Sequence, residues 1–133
     1  MEDSLRDKRV KHWLAQGKED IETADIMFRS KRWKYTIFMC RQSVEKYLKA
    51  IFLKNKGEFP PRIHNLFRLA EKIDKTLFPD GYLEFLSELS LYYIQSRYPE
   101  DIDKMAEINN KKRAEEILNE TKEVIKWLKK TLL

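Results

Sequence analysis

From about Trp33 to Lys56 the chain runs without glycine or proline, and apolar residues recur at Ile37, Cys40, Val44, Leu48 and Ile51. Spacings of three and four place these residues on one helix face, so the stretch predicts a core helix. Two ionisable residues sit at the edge of that face. At 100° per residue, Arg41 falls between Leu48 and Phe52, and Glu45 falls between Phe52 and Phe38. Burying either charge without a partner is expensive. Arg41 with Glu45 and Glu45 with Lys49 are i,i+4 pairs, but exposed pairs of this kind contribute only about 0.2–0.5 kcal/mol each. The pattern therefore predicts that these side chains line a groove rather than sink into the core.

The same periodicity organises the flanking segments. Residues from about Leu5 to Ser30 predict a first helix with Val10, Trp13, Leu14, Ile21, Ala24 and Phe28 on its apolar stripe. Gly17 interrupts it at a cost of about 1 kcal/mol relative to Ala, which close packing against another helix would explain. The Lys31-Arg32 connection is short enough to predict an antiparallel hairpin with the core helix. Gly57 and Phe59-Pro60-Pro61 stop the second helix. Asn65 is placed to cap a short helix with Leu66, Leu69, Ala70 and Ile73 facing inward. Phe78-Pro79-Asp80-Gly81 predicts a turn.

A fourth helix is expected from about Tyr82 to Gln95, with apolar residues nearly all round, implying burial on two sides in the bundle or against a second subunit. Glu100 to Asn110 reads as a loop with at most one helical turn. The last helix, about Asn110 to Leu132, carries Ala114, Ile117, Thr121, Val124, Leu128 and Leu132 on one stripe, with Leu118 and Ile125 beside it. The expected fold is all-α, an up-and-down bundle of four main helices plus one short helix, forming a single domain over residues 1–133.

Composition agrees with that picture. Three glycines and four prolines in 133 residues leave little punctuation for anything but long helices. The single Cys40 lies on a core face and reads as a small buried hydrophobe rather than a reactive thiolate. No apolar run approaches the roughly 18–20 residues needed to span a bilayer, and the N-terminus is not a signal peptide, so a soluble cytoplasmic protein is expected. The net charge of +5 favours an anionic partner such as RNA or a nucleotide. However, 27 basic residues are interspersed with 22 acidic ones, the pattern of a solvated charged surface. Three scattered glycines exclude a P-loop or a dinucleotide fingerprint. Two histidines and one cysteine without ligand spacing argue against a metal site, and no cofactor is expected.

Three stretches together resemble the HEPN domain family. Arg41-Gln42-Ser43-Val44-Glu45-Lys46-Tyr47-Leu48-Lys49-Ala50 is similar to that family's second-helix pattern. His64-Asn65-Leu66, followed by Leu69, resembles its His-Asp-Leu segment with Asn for Asp, and Ser96-Arg97-Tyr98-Pro99-Glu100 resembles its Arg-Tyr-Pro turn. Trp13, Ala24 and Trp127 also fit, so the likeness covers nearly the whole chain. It implies a helical bundle that forms a homodimer, a groove where the second helix meets the Arg-Tyr-Pro turn, and a nucleotidyltransferase partner in a toxin–antitoxin-like system. Active members of the family are metal-independent ribonucleases with Arg, four to six residues, then His. Counted from Arg97, that His would fall at Ile102, Asp103 or Lys104, and none of these is His. Arg6 and His12 match the spacing only on the first helix, away from the family's site.

The resulting ligand-binding set is Arg41, Glu45, Lys46, Lys49, His64, Arg97 and Tyr98. Arg97 offers a bidentate fork to a phosphate and Tyr98 a stacking face to a base; an arginine at a helix end equally serves the last carbonyls or a carboxylate. His64 has the side chain best suited to acid–base work near neutral pH, but a His at a helix start more often caps or packs. Glu45 reads as an orienting group for Arg97 or Lys49 rather than a base. Trp13, Trp33, Tyr35 and Trp127 read as core or dimer contacts. The leading expectation is a non-catalytic binding protein for a nucleotide or RNA. The alternatives are a ribonuclease toxin using Arg97 with His64 or Glu45 as a non-standard base, and a structural adaptor.

Overall fold

The structure, a computed structural model, describes residues 2–92 and 110–133. Its elements are α1 (Asp3–Arg29), α2 (Trp33–Lys56), α3 (Leu66–Ile73), a 3-10 turn (Lys75–Leu77), α4 (Asp80–Ser90) and α5 (Lys111–Leu132), with no strand among the described residues. Among the described residues these are the four main helices and one short one of the all-α bundle that the periodicity predicts. The Arg97–Tyr98 turn, the end of the expected fourth helix and most of the loop that follows it lie outside the described residues.

α2 is the central element. Fourteen of its 24 residues are buried, so it faces neighbours on almost every side. α1 lies antiparallel to it: Asp20 pairs with Lys46 at 2.8 Å, and further along Gly17 faces Ser43 and Tyr47. Gly17 is there for close approach, as its place in the stripe predicts. Ser43 Oγ donates to its carbonyl at 2.6 Å, and a Cβ at Gly17 would lie 2.9 Å from the Tyr47 ring.

The hairpin turn between α1 and α2 is closed by two backbone bonds. Arg32 N–H donates to Met27 O at 2.8 Å and Lys31 N–H to Phe28 O at 3.0 Å, with Lys31 left-handed at φ 60°. That is the Schellman arrangement, here without the usual glycine. At the other end of α2, Gly57 takes φ 68° and its N–H donates to Leu53 O at 2.9 Å. The α2 stop signal works as the sequence indicates.

α3 begins at the expected cap, with Asn65 Oδ1 accepting from Arg68 N–H at 3.0 Å. Asn110 caps α5 in the same way, accepting from Arg113 N–H at 2.8 Å. The turn expected at Phe78–Gly81 lies earlier, at Lys75–Leu77, and α4 already starts at Asp80. Pro79 permits this because its missing N–H is not needed at a helix start, while its carbonyl accepts from Tyr82 and Leu83.

The core is built from Ile37, Val44, Leu48 and Ile51 of α2, Leu66 and Leu69 of α3, Phe85, Leu86 and Leu89 of α4, and Ala114, Ile117, Val124 and Leu128 of α5. Each fully buried large aliphatic side chain stabilises the fold by about 1.5–3 kcal/mol. Trp127 seals one edge against Phe78 and Tyr82, with ring centroids at 5.5 and 5.3 Å. Trp33 packs on Phe28 beside the α1–α2 turn, whereas Tyr35 is exposed. Leu91, just after α4 on a face expected to pack in the bundle or against a second subunit, is 76% exposed in the single chain. Among the described residues no helix is long and apolar enough to cross a membrane.

Candidate functional site

After Gly57 reverses the chain, Pro60 and Pro61 hold it out of helix until Asn65 starts α3. This path lays His64 against the middle of α2. Arg41 Nη2 donates to the His64 carbonyl and, at 3.1 Å, to Glu45 Oε1, while Nη1 donates to Gln42 Oε1 at 2.7 Å. His64 Nδ1 lies 3.1 Å from the same Glu45 oxygen. Lys49 Nζ reaches the other carboxylate oxygen, Oε2, at 3.4 Å. One carboxylate thus joins a guanidinium, an ammonium and an imidazole.

The burial of this cluster corrects the sequence expectation. Arg41 is 1% exposed and Glu45 4%, so neither lines an open groove. The physical reason is mutual compensation that a helical wheel cannot show. The i,i+4 geometry brings the two charges together, and a backbone carbonyl from 23 residues away gives Nη2 of the guanidinium a second acceptor. A buried pair persists only when extra hydrogen bonds of this kind replace lost hydration. The cluster opens outward at His64, whose side chain is 52% exposed, while Lys49 keeps 10%.

Lys49 also links the cluster to α1, its Nζ standing 5.6 Å from the centroid of the Trp13 ring. A cation over an indole face is attracted by the ring quadrupole. Trp13 packs with Val10, Ala50 and Leu53, as its reading as a core contact requires. Of the predicted ligand-binding residues, Arg41, Glu45, Lys49 and His64 converge. Lys46 does not: it turns one step round α2 and pairs with Asp20 of α1. Arg97 and Tyr98 lie outside the described residues. Gln42, part of the second-helix motif but not of the predicted ligand-binding set, takes part through its bond to Arg41.

A carboxylate can only accept, so Glu45 fixes the donor at Nδ1 of His64 and sets the plane of the ring. This arrangement can hold an imidazole in place for proton transfer or for hydrogen bonding to an anion. Cys40 has no such role. Burial pushes its thiol up to about 12, leaving a neutral side chain packed in the core. Among the described residues no group of three His, Cys, Asp or Glu side chains is placed to hold a metal ion.

The comparisons with known proteins bear on the fold and the family. The crystal structure of TT1696 from Thermus thermophilus superposes with a TM-score of 0.78 at 23% identity, covering 92% of this chain and 97% of that one. At that identity the likeness shows the shared fold. No curated protein matches the chain in sequence. The family model described as "HEPN domain" matches residues 10–131, which include α2 with its Arg41–Glu45–Lys49 series, the His64-Asn65-Leu66 segment and almost all of α5. Since that match takes in nearly the whole sequence, the chain belongs to the HEPN domain family.

Proposed function

We propose that this chain acts as one domain, a non-catalytic HEPN protein that binds the phosphate of a nucleotide or RNA segment at the mouth of the Arg41–Glu45–Lys49–His64 cluster. It does so as a cytoplasmic homodimer working with a nucleotidyltransferase partner in a toxin–antitoxin-like system. The observation that carries the reading is the sharing of one carboxylate by Arg41, Lys49 and His64. Donors held in place before a ligand arrives lose little freedom on binding, and a phosphate brings oxygens that complement them. Arg97 and Tyr98, from their resemblance to the family's turn, supply a second fork and a stacking face.

Binding of a short single-stranded RNA and of ATP, measured by calorimetry, tests the proposal. Arg97→Ala combined with Lys49→Met is expected to weaken binding at least tenfold with little change in the melting midpoint, because methionine keeps the aliphatic stem beside Trp13. Unaltered affinity in that variant refutes the site. A second reading, a metal-independent ribonuclease, is favoured by the contact of His64 with Glu45 at 3.1 Å. Incubating RNA with the protein in chelator separates the two. Intact RNA supports the binding module, and cleavage that disappears in His64→Ala supports the enzyme.

A further inference from the structure

A row of hollows lies along α1, beside Lys54 of α2 and Leu133 at one end and beside α5 at the other. The first, about 410 Å³, lies between Val10 and Leu14 of α1 and Leu133. The second, about 300 Å³, shares Leu14 and Leu133 and has Tyr47 in its wall. A third, about 260 Å³, shares Lys129 with the second and continues between Ile21 and Ile125. Taken together the three hollows follow α1 from Asp7 to Asp25, about 27 Å at 1.5 Å per residue, and are treated as one groove. It lies on a different flank of α2 from the cluster above, since Tyr47 stands about 200° round the helix from Glu45.

The floor is aliphatic and the rim is basic. Val10, Leu14, Ile21 and Ile125 form the floor. Lys11, Lys18, Lys54 and Lys126 stand exposed along the edges. Lys129 leans over the Tyr47 ring at 5.3 Å. Acidic residues bordering the groove are Asp7 and Asp25, and Asp25 is already bound to Lys122 at 2.6 Å across its far end.

We propose that this groove receives an amphipathic α-helix of a partner protein, carrying glutamate or aspartate on both sides of an apolar stripe. The length fits about 18 residues of helix, or five turns. An apolar stripe at i, i+3, i+4 and i+7 matches the aliphatic side chains spaced along the floor, and flanking acids meet the lysine rim. Single-stranded RNA is a poorer match, because it needs exposed aromatic faces for stacking and Tyr47 is 1% exposed. A second copy using the same face is also disfavoured, since two lysine rims would confront each other.

The test uses a fluorescein-labelled 18-residue Leu/Glu peptide with amphipathic spacing, a scrambled peptide of identical composition, and labelled single-stranded RNA. The designed peptide is expected to bind saturably, at least tenfold tighter than the scrambled one, and to shift the backbone amide resonances of Leu14, Ile21 and Ile125. Lys18→Glu with Lys126→Glu, both at exposed positions, is expected to weaken it at least tenfold. Equal binding of the two peptides would mean charge alone acts and overturns the proposal, as does unchanged affinity in the double variant. RNA that displaces the peptide from the same lysines at lower concentration reassigns the face to nucleic acid. A peptide that acts only by dissociating a dimer reassigns it to self-association. None of these outcomes bears on the phosphate site, because the groove shares no residue with the Arg41 cluster.

Discussion

Replacing Glu45 by Ala removes the one carboxylate that three groups share, and the structure sets how much that matters. His64 is half exposed and recovers water, so its loss is small. Lys49 retains 10% exposure and a flexible stem, which lets its ammonium turn outward. Arg41 cannot follow, being 1% exposed and anchored to Gln42 and the His64 carbonyl. Removing one member of a buried ion pair destabilises by about 3–5 kcal/mol, because a charge remains in a poorly hydrated place. With Lys49 partly relieved, a loss of about 3 kcal/mol is expected. Urea unfolding followed by circular dichroism at 222 nm measures it. The companion variant Arg41→Met/Glu45→Leu is expected to recover most of the loss, since matched apolar replacements of a buried pair are often neutral or stabilising. A loss under about 1 kcal/mol for Glu45→Ala would match an exposed pair and refute the reasoning. The double variant should also fold without binding nucleotide or RNA, which separates the stability of the cluster from its use.

Two further outcomes follow from local geometry. Gly57→Ala is expected to destabilise by about 1 kcal/mol, because φ 68° puts an L side chain in the left-handed region; an unchanged urea midpoint contradicts this. Cys40 is an acid whose folded pKa, about 12, lies above its ordinary 9.0, so the unfolded chain loses the proton first. The stabilisation is therefore complete below about pH 9 and declines as pH rises from there toward 12. Alkylation at pH 8 should track global unfolding, and Cys40→Ala should remove this residue's share of the decline between pH 9 and 10. Rapid alkylation of the folded protein would show the thiol to be accessible.

The sequence by itself determined the helices, their order and most of their inward faces. A period of 3.6 residues names the stripe that is buried, and Gly57, Asn65 and Asn110 mark ends through backbone chemistry that depends on near neighbours alone. The same local logic placed Gly17 at a close contact and Cys40 in the core. Tertiary structure decided which charges meet. Arg41 and Glu45 sit at the edge of an apolar arc, and periodicity cannot say whether that edge faces water or another segment. The α2–α3 connection covers it, bringing a carbonyl and an imidazole from His64, and the pair becomes buried instead of lining a groove. Lys46, only one residue from Glu45, points 100° away and is claimed by Asp20 of α1. The start of α4 at Asp80 was equally hidden, because Pro79 suits both a turn and a helix entrance. Spacing along a chain fixes what shares a face; only the packing of one element on another fixes what that face touches.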